Sequence, residues 1–548
     1  MKIKKYLLIF CSLATLCSCE DYVDINKSTT GITDEELGTL LYSTKLTEIQ
    51  KYVIPIGSPS QTTGPGNDLG VSDIMSSGNF IGYFGMNNNW NYNTEATWDF
   101  KPNRMEYAFE VLYSKLFTVW IDVHNKLKDS EDITDQQCLA LFDIIKVAGW
   151  LRATDVFGPI VYTNAGKGDL SPKLDSQEVV YRSMLNDLER CSKILNEASS
   201  KIMAKYDMVY GGDAAKWTKL ANSLMLRIAV RCHFVDSELA KEYIAKALDP
   251  MNGGVIETID DEAKIGNSSN FPLLNPIIAT VDYKECRMGA TAWSYLTGYA
   301  DPRLDKYYTK GVYEEKEDYY CIASCNTMPM NTGKNTAEYA SCPKFGNNDP
   351  MFWFRASETF FLKAEAALFD LTTGSPADLY AQGVKMSMKE WGLSESDADA
   401  YLAKGNVTTA KLKGGWGGAD KNYFYGSYMP YSSDISNGNV APKWDAYSGK
   451  EKQLQQIMTQ KYLALYPNAV EAWTEYRRTG YPYMAANFQD FKGKISSDGS
   501  IRTPERFIFP PKDYTTNPNM SEVPELLKGQ DVGGTKLWWV RSDRPVQR

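Results

Sequence analysis

Aromatic and amide side chains alternate in one short stretch of the sequence, NNNWNYNTEATW at residues 87–98. A sugar ring has an apolar C–H face and a rim of hydroxyl groups. It is therefore held by stacking on aromatic rings and by hydrogen bonds from amides and hydroxyls. The stretch supplies both kinds of group within a few residues. Its candidate ligand-binding residues are Trp90, Asn91, Tyr92 and Trp98.

A second stretch, GGWGGADKNYFYGSYMPYS at residues 414–432, combines glycines, aromatic rings and polar groups in a similar way. Glycines on both sides of Trp416 leave its ring free of neighbouring side chains, which suits a stacking platform at a loop tip. The candidate binding residues here are Trp416, Tyr423 and Tyr425. For both stretches a structural interpretation stays open, because aromatic rings in long loops also pin the loop to its own body.

Motifs of common hydrolases are absent from the sequence. It has neither a G-x-S-x-G nucleophile elbow nor an H-E-x-x-H zinc helix, and it contains only 2 histidines. Gly529–Lys536 comes near a phosphate-binding loop, but its Thr and Lys stand in the wrong order. Acid–base chemistry would therefore rest on carboxylates alone, as in a surface glycosidase. We expect no catalysis, and a glycosidase is the alternative.

Three cysteines are spaced so that they could hold a metal ion or form a disulfide: Cys321, Cys325 and Cys342. Structural zinc sites take four thiolate or imidazole ligands, and neither His124 nor His233 is near this group in sequence. We predict no metal and no cofactor, and we leave a disulfide open. The sequence carries no signature that decides for or against structural calcium.

The N-terminus has the pattern of a bacterial lipoprotein signal. Met1–Lys5 is basic, and the apolar run Tyr6–Leu16 is too short to span a bilayer. The residues Leu16-Cys17-Ser18-Cys19 resemble a lipobox, which makes 1–18 the signal peptide and Cys19 the lipidated first residue. The acidic pair that follows resembles the signal that sends some lipoproteins to the outer face of the outer membrane. An ordinary cleaved signal is the alternative.

The charge of the chain argues against a nucleic-acid partner. The formal net charge is −9, and no basic cluster of the kind that contacts phosphate backbones is present. The chain has 548 residues, 43% of them hydrophobic, so it can bury a large core.

Apolar residues recur every three or four positions through much of the chain, which predicts helices. Arg104–Asp129 forms one such face, Thr134-x-x-Gln137 is a candidate capping box, and Asp213 is a candidate N-cap. Helix pairs are predicted at 357–370 with 376–391 and at 453–466 with 469–478. We predict a mainly α protein with solenoid-like packing. We predict that residues 19–548 form a single domain, with long loops inserted at about 55–103, 250–350 and 410–450.

Several stretches, all in the same order, resemble the SusD/RagB family of surface lipoproteins. They are SCEDYVDIN (18–26), LRATDVFGPIVYT (151–163), WTKLANSLMLRIAVR (217–231), ADPRL (300–304), FRASETFFLKAEAAL (354–368), ERFIFPPKDYTTNP (505–518) and KLWWV (536–540). No single motif identifies the family, but the ordered set covers nearly the whole mature chain.

The resemblance implies a SusD-like fold with four tetratricopeptide-like helix pairs and long irregular loops that form a binding face. It implies a non-catalytic protein, anchored by lipid in the outer membrane and facing the cell exterior. Such a protein captures oligosaccharides and delivers them to a SusC-like TonB-dependent transporter, which the helical repeats usually contact. Capture of oligopeptides is the main alternative, and a pure scaffold is a third.

Overall fold

Helices dominate the computed structural model of the chain, and this confirms the mainly α class predicted from the sequence. The structure describes residues 34–58, 63–86, 100–284, 286–322, 336–412, 423–424, 439–485, 498–501 and 503–546. The chain divides into two compact units, Met1–Lys45 and Leu46–Arg548, and the packing described below belongs to the second.

Thirteen helices of eight or more residues run through the described ranges. They are α1 (Asp34–Val53), α2 (Pro102–Phe109), α3 (Lys115–Leu127), α4 (Ile133–Phe157), α5 (Gln177–Asn196), α6 (Ala214–Cys232), α7 (Ser237–Leu248), α8 (Ala290–Gly298), α9 (Ala356–Leu368), α10 (Pro376–Glu390), α11 (Glu395–Leu402), α12 (Lys450–Leu465) and α13 (Ala469–Thr479). Shorter α-helical turns lie at Thr63–Leu69, Ser77–Phe80, Ile277–Asp282, Leu304–Tyr307, Thr336–Tyr339, Asp513–Thr516 and Val523–Leu526. In these ranges, none of the helices has the length and apolar character needed to cross a membrane.

The strands are short and pair two by two. They are β1 (Phe84–Met86), β2 (Ala263–Ile265), β3 (Cys286–Met288), β4 (Gly311–Tyr313), β5 (Lys316–Asp318), β6 (Cys321–Ile322), β7 (Met351–Phe354) and β8 (Tyr423–Phe424). The pairs β1–β3, β2–β7 and β4–β5 are antiparallel, and β6–β8 is parallel. Only β4 and β5 form a local hairpin in the described chain, so the other pairs join segments that are distant in sequence.

Consecutive helices pack on each other along much of the chain. The contacts join α3 with α4, α4 with α5, α5 with α6, α6 with α7, α9 with α10, α10 with α11 and α12 with α13. Other contacts link these pairs, because α6 packs on α9, α9 on α12 and α13 on α4. In the pair α9–α10 a glycine allows the close approach: a Cβ added to Gly383 would lie 2.9 Å from the ring of Phe361.

Side-chain caps explain where several helices begin. Asp213 caps α6 as predicted, since its carboxylate accepts a hydrogen bond from the Lys216 backbone N–H at 3.2 Å. The predicted capping box at Thr134 and Gln137 is wrong. Asp132 caps α4 instead, and its carboxylate accepts a hydrogen bond from the Thr134 backbone N–H at 2.7 Å. An aspartate is favoured there because its charge also complements the positive end of the helix dipole.

The apolar face predicted over residues 104–129 is helical but contains a π turn. Helices α2 and α3 flank this turn, which spans Glu110–Ser114. The turn carries Tyr113, whose ring stacks on Trp150 of α4 with centroids 4.7 Å apart. Such π turns interrupt regular helices without ending them, so one amphipathic face continues on both sides.

Buried ion pairs join α4, α6, α9 and α13 inside the core. Arg231 of α6 is fully buried, pairs with Asp155 of α4 at 2.6 Å and also pairs with Glu471 of α13. Arg478 of α13 makes a two-pronged contact with Glu365 of α9, at 2.6 and 2.7 Å. A buried charge that loses its partner is strongly destabilising, so these pairs penalise any packing that separates the four helices.

Candidate functional site

Four short strands meet where the two candidate loops join the described chain. β1 pairs with β3, and β6 pairs with β8. The two pairs touch at Gly85, since a Cβ added there would lie 2.6 Å from the carbonyl oxygen of Ile322 in β6. Gly289, which directly follows β3, forms a bridge with the same Ile322. We call β1, β3, β6 and β8 the four-strand cluster.

The four-strand cluster brings parts of both candidate loops together. Residues 87–98 begin directly after Met86 at the end of β1, and Tyr423 lies in β8, in register with Cys321 of β6. Tyr423 is thus a predicted binding residue that falls within the described chain. The other predicted residues lie outside it: Trp90, Asn91, Tyr92, Trp98, Trp416, Tyr425 and the lipidation site Cys19.

Helix α8 supports the four-strand cluster from one side. The Gly289 N–H, immediately before α8, donates a hydrogen bond to the Tyr83 carbonyl at 2.9 Å, one residue ahead of β1. The indole N–H of Trp293 in α8 donates to the Tyr319 carbonyl at 2.9 Å, two residues ahead of β6. Strands fixed in this way give the loops that follow them a rigid base, which is how binding loops are commonly presented.

A group of buried tyrosines lies next to the start of β1. Tyr83 stacks on Tyr462 of α12 with ring centroids 4.7 Å apart, and Tyr307 stacks on Tyr466 at 4.5 Å. Burial raises the pKa of Tyr83 and of Tyr462 well above its ordinary value. The Tyr307 hydroxyl donates to the Leu463 carbonyl at 2.7 Å. These rings and hydroxyls pack and form hydrogen bonds within the core. The aromatic residues of this group therefore stabilise the fold and do not form a binding surface.

A second surface, which the sequence analysis missed, is an open cleft beyond α11. One wall is Gly405–Thr408, the other is Asn439–Tyr447, and the cleft between them opens to solvent and has a volume of about 690 Å³. The ring of Tyr447 is fully exposed, while Trp444 packs on Tyr380 with ring centroids 5.1 Å apart. The sequence signal was WDAY at 444–447, two aromatic residues around a carboxylate. We call this surface the Tyr447 cleft.

Glu262 and Glu390, two carboxylates with raised pKa values, have structural roles. Glu262 accepts a hydrogen bond from the Ala356 N–H at 3.3 Å, and Glu390 accepts one from the Ser357 N–H at 2.7 Å. Burial raises the pKa of Glu390 to about 8 and also raises that of Glu262, against the opposing charge of Arg355. Because the Glu390 side chain has 0% exposure, a glycoside cannot reach it. The pair therefore does not supply the two accessible carboxylates of a glycosidase.

The disulfide that the sequence leaves open does not join Cys321 to Cys342, since each is present as a thiol. Cys325 lies outside the described residues. The part of the chain that the structure describes holds no group of three or more His, Cys, Asp or Glu side chains arranged for a metal ion. His233 is buried 2.9 Å from Glu365, and burial lowers its pKa, so it too belongs to the core.

Solved structures resemble this chain over nearly its whole length. The structure of BT1043 is 52% identical, with a TM-score of 0.88, and covers 93% of this chain and 100% of that chain. A SusD homolog from Bacteroides vulgatus is 28% identical, with a TM-score of 0.81 and coverage of 92% and 99%. A chitin-binding SusD homolog from Flavobacterium johnsoniae is 27% identical, with a TM-score of 0.77 and coverage of 92% and 99%.

A comparison with curated proteins finds no match. The sequence model of the SusD-like family, described as SusD and RagB outer membrane lipoprotein, matches residues 24–540. The match includes the helix pairs, the four-strand cluster and the C-terminal segment. This chain therefore belongs to the SusD-like family of outer membrane lipoproteins.

Proposed function

We propose that this protein binds an oligosaccharide at the cell surface and delivers it, chemically unchanged, to a SusC-like TonB-dependent transporter. The observation that carries the proposal is the four-strand cluster, where two stretches rich in aromatic and amide groups join the body next to each other. Groups from both stretches would contact one sugar chain. The proposed contacts are Trp90, Asn91, Tyr92, Trp98, Trp416, Tyr423 and Tyr425.

Carbohydrate as the ligand is supported by the chemistry of these stretches and by a relative. Stacking rings and side-chain amides match the two faces of a sugar. A chitin-binding SusD homolog shares the fold of this chain with a TM-score of 0.77. The proposed absence of catalysis is supported by the lack of common hydrolase motifs in the sequence. Glu390, a carboxylate with a raised pKa, is sealed in the core and is not an accessible acid–base group.

Attachment to the outer face of the outer membrane through a lipid on Cys19 completes the proposal. Each buried CH₂ of an acyl chain contributes about 0.8 kcal/mol to membrane binding, so several chains anchor a protein firmly. The family is described as one of outer membrane lipoproteins. A binding protein held there could hand its ligand to a transporter in the same membrane.

A glycan array tests the proposed function. We would screen the chain from Glu20 onwards on plant, host and microbial glycans beside a peptide library. We expect binding to a defined glycan that is lost in Trp90→Ala or Trp416→Ala and retained in Tyr514→Ala, an exposed aromatic residue far along the chain from both stretches. Binding to peptides alone would move the protein to the oligopeptide-capturing branch and overturn the proposal. Shortening of any bound glycan would overturn the absence of catalysis.

A further inference from the structure

The Tyr447 cleft has walls that hydrogen bonds hold in place. Gln456 of α12 donates through Nε2 to the carbonyls of Ala441 at 2.9 Å and Lys443 at 2.8 Å. The Asn439 amide donates to the Val407 carbonyl at 3.2 Å and so joins the two walls. Because both walls are already ordered, a ligand would lose little free energy to ordering them.

Several polar groups that line the cleft make no hydrogen bond or ion pair with another residue of the described chain. They are the Asn406 amide, the Thr408 hydroxyl, the Lys443 ammonium, the Trp444 indole N–H and the Tyr447 hydroxyl. Amides, hydroxyls and ammonium groups are the partners that sugar hydroxyls and anions take. The exposed ring of Tyr447 adds a face for stacking.

The cleft carries an excess of positive charge in a chain whose net charge is −9. Lys443 and Lys452 line it, and Asp445 is the carboxylate in the lining. Asp445 lies 3.3 Å from the Lys452 ammonium and balances it. The Lys443 ammonium has no acidic partner among the described residues, so it favours an anionic group over a neutral one.

Helix α8 connects the cleft to the four-strand cluster. It begins at Ala290, next to the cluster, and ends at Gly298 against the Thr408 wall, where an added Cβ would lie 2.3 Å from the Thr408 carbonyl oxygen. A helix of this length spans about 13 Å. The four-strand cluster and the cleft therefore lie at opposite ends of α8.

We propose that the Tyr447 cleft binds an anionic saccharide unit, one that carries a carboxylate or a sulfate ester. Lys443 pairs with the anionic group, the Tyr447 ring stacks on the C–H face of the sugar, and Asn406 hydrogen-bonds with its hydroxyls. This inference rests on the proposed function, because the unit would be part of the captured glycan. It adds a ligand class that neither the family nor the aromatic loops specify.

Two matched pairs of probes test the inference, and the members of each pair differ only in their charged groups. One pair is trigalacturonic acid and its neutral methyl ester, and the other is galactose 6-sulfate and galactose. Titration calorimetry and saturation-transfer NMR would follow their binding to the chain from Glu20 onwards. We expect the acidic member of at least one pair to bind more tightly, with a preference that shrinks at roughly 0.5 M salt because exposed charges are screened there.

Substitutions then locate the binding. Lys443→Gln should abolish the preference for acid, weakening acidic binding about threefold, as expected for one exposed charge pair. Tyr447→Ala should weaken both members of the bound pair. Lys128→Gln and Tyr514→Ala, at exposed positions outside the cleft, should change neither. Equal binding of acidic and neutral probes, no binding of any acidic probe, or an acid preference that survives Lys443→Gln would overturn the inference.

Failure of this inference and failure of the proposed function are distinguishable. If the array finds a neutral glycan that Trp90→Ala or Trp416→Ala releases, while no acidic probe binds, the proposed function stands and the inference is overturned. If no glycan binds the unmodified protein under any condition, the proposed function fails as well.

Discussion

At the scale of single residues, helix α9 begins against two buried carboxylates. Glu390 accepts hydrogen bonds from both the N–H and the hydroxyl of Ser357, at 2.7 and 2.9 Å, and Glu262 lies beside it at the first turn. Arg355 is near, 3.7 Å from Glu390, but one guanidinium cannot balance two carboxylates. Burial therefore favours the protonated form of Glu390, and its pKa is raised from 4.5 to about 8.

The raised pKa of Glu390 makes stability depend on pH. The folded protein keeps a proton on Glu390 between pH 4.5 and about 8, where the unfolded chain has released it. The free energy of unfolding therefore loses a contribution of up to a few kcal/mol as the pH rises through this window. Glu390→Gln keeps one acceptor oxygen for the Ser357 N–H and cannot ionise, so we expect it to flatten this decline.

Urea denaturation of the unmodified protein and of Glu390→Gln at roughly pH 5, 6, 7 and 8 measures the effect. In this range Glu390 keeps its proton in the folded protein and has released it in the unfolded chain. The control is Glu238→Gln, because the Glu238 side chain is 88% exposed. Parallel pH profiles for all three proteins would show that Glu390 does not hold its proton in the folded state.

Arg231 offers a second test at this scale. Its fully buried guanidinium pairs with Asp155 of α4 at 2.6 Å and with Glu471 of α13. Arg231→Met leaves those carboxylates buried without their partner, so we expect a loss of about 3–5 kcal/mol in the free energy of unfolding. Chemical denaturation followed by circular dichroism measures it. Lys128→Gln, on the surface, should stay within about 0.5 kcal/mol; a similarly small loss for Arg231→Met would contradict the assigned role.

At single residues, the sequence predicts interactions between neighbouring positions but not interactions between distant ones. Asp213 is predictable as a helix cap because its partner, Lys216, is three positions away. The placement of Glu390 is not, since Ser357 lies 33 positions away and Glu262 is farther still. Asp132 could have been recognised as a cap from the sequence. The Thr134 pattern indicated a different capping residue, but in the structure the Asp132 carboxylate caps the helix.

At the scale of elements, helices and strands differ in how far the sequence predicts them. Helices are local, and the predicted pairs appear as α9 with α10 and α12 with α13. The strands of the four-strand cluster have two or three residues each, and β1 pairs with β3 about two hundred residues later in the chain. Such short segments have no periodicity to read. The shared cluster of β1, which precedes the first candidate loop, and β8, which belongs to the second, therefore became visible only in the structure.

The contact between β1 and β6 depends on the glycine at position 85. A Cβ on Gly85 would lie 2.6 Å from the Ile322 carbonyl oxygen, which belongs to the backbone and cannot rotate away. We expect Gly85→Ala to push the strands apart, costing about 1–3 kcal/mol of stability and weakening binding of the glycan found by the array. Thermal unfolding and calorimetry measure the two effects.

Gly64→Ala is the matched control, because nothing lies within 4 Å of a Cβ at that position. It should leave glycan binding unchanged and, since it lies in a short helix, should stabilise the fold slightly. A Gly85→Ala protein that binds and unfolds like the unmodified one would mean that the four-strand cluster does not organise the site.

At the scale of the whole molecule, the fold and the proposed membrane location depend on different parts of the sequence. The helix pairs and the family match over residues 24–540 define the body of the protein. The proposed N-terminal lipoprotein signal would define where that body is held. The fold and the family could be predicted, because the ordered motifs that indicate them can be read directly from the sequence. The identity of the ligand could not, because the proposed contacts come from stretches far apart in the chain.

The proposed lipidation of Cys19 predicts that replacing this residue releases the protein from the membrane. Cys19→Ala removes the thiol that would carry the acyl groups, and without them the protein loses the apolar chains that hold it to the membrane. We expect Cys19→Ala to leave the membrane fraction while Cys17→Ala stays in it. Cell fractionation with mass spectrometry of the N-terminus measures both, and the reverse result would move the anchor to Cys17.

The most direct test of the account is whether two separated stretches of sequence hold one glycan. Calorimetry with the best glycan from the array would compare the unmodified protein, Trp90→Ala, Trp416→Ala and the double variant. We predict that each single change weakens binding about tenfold, as loss of one stacking ring does, and that the losses in the double variant are not additive, because both rings contact the same ligand. Unchanged affinity in both single variants would contradict the account.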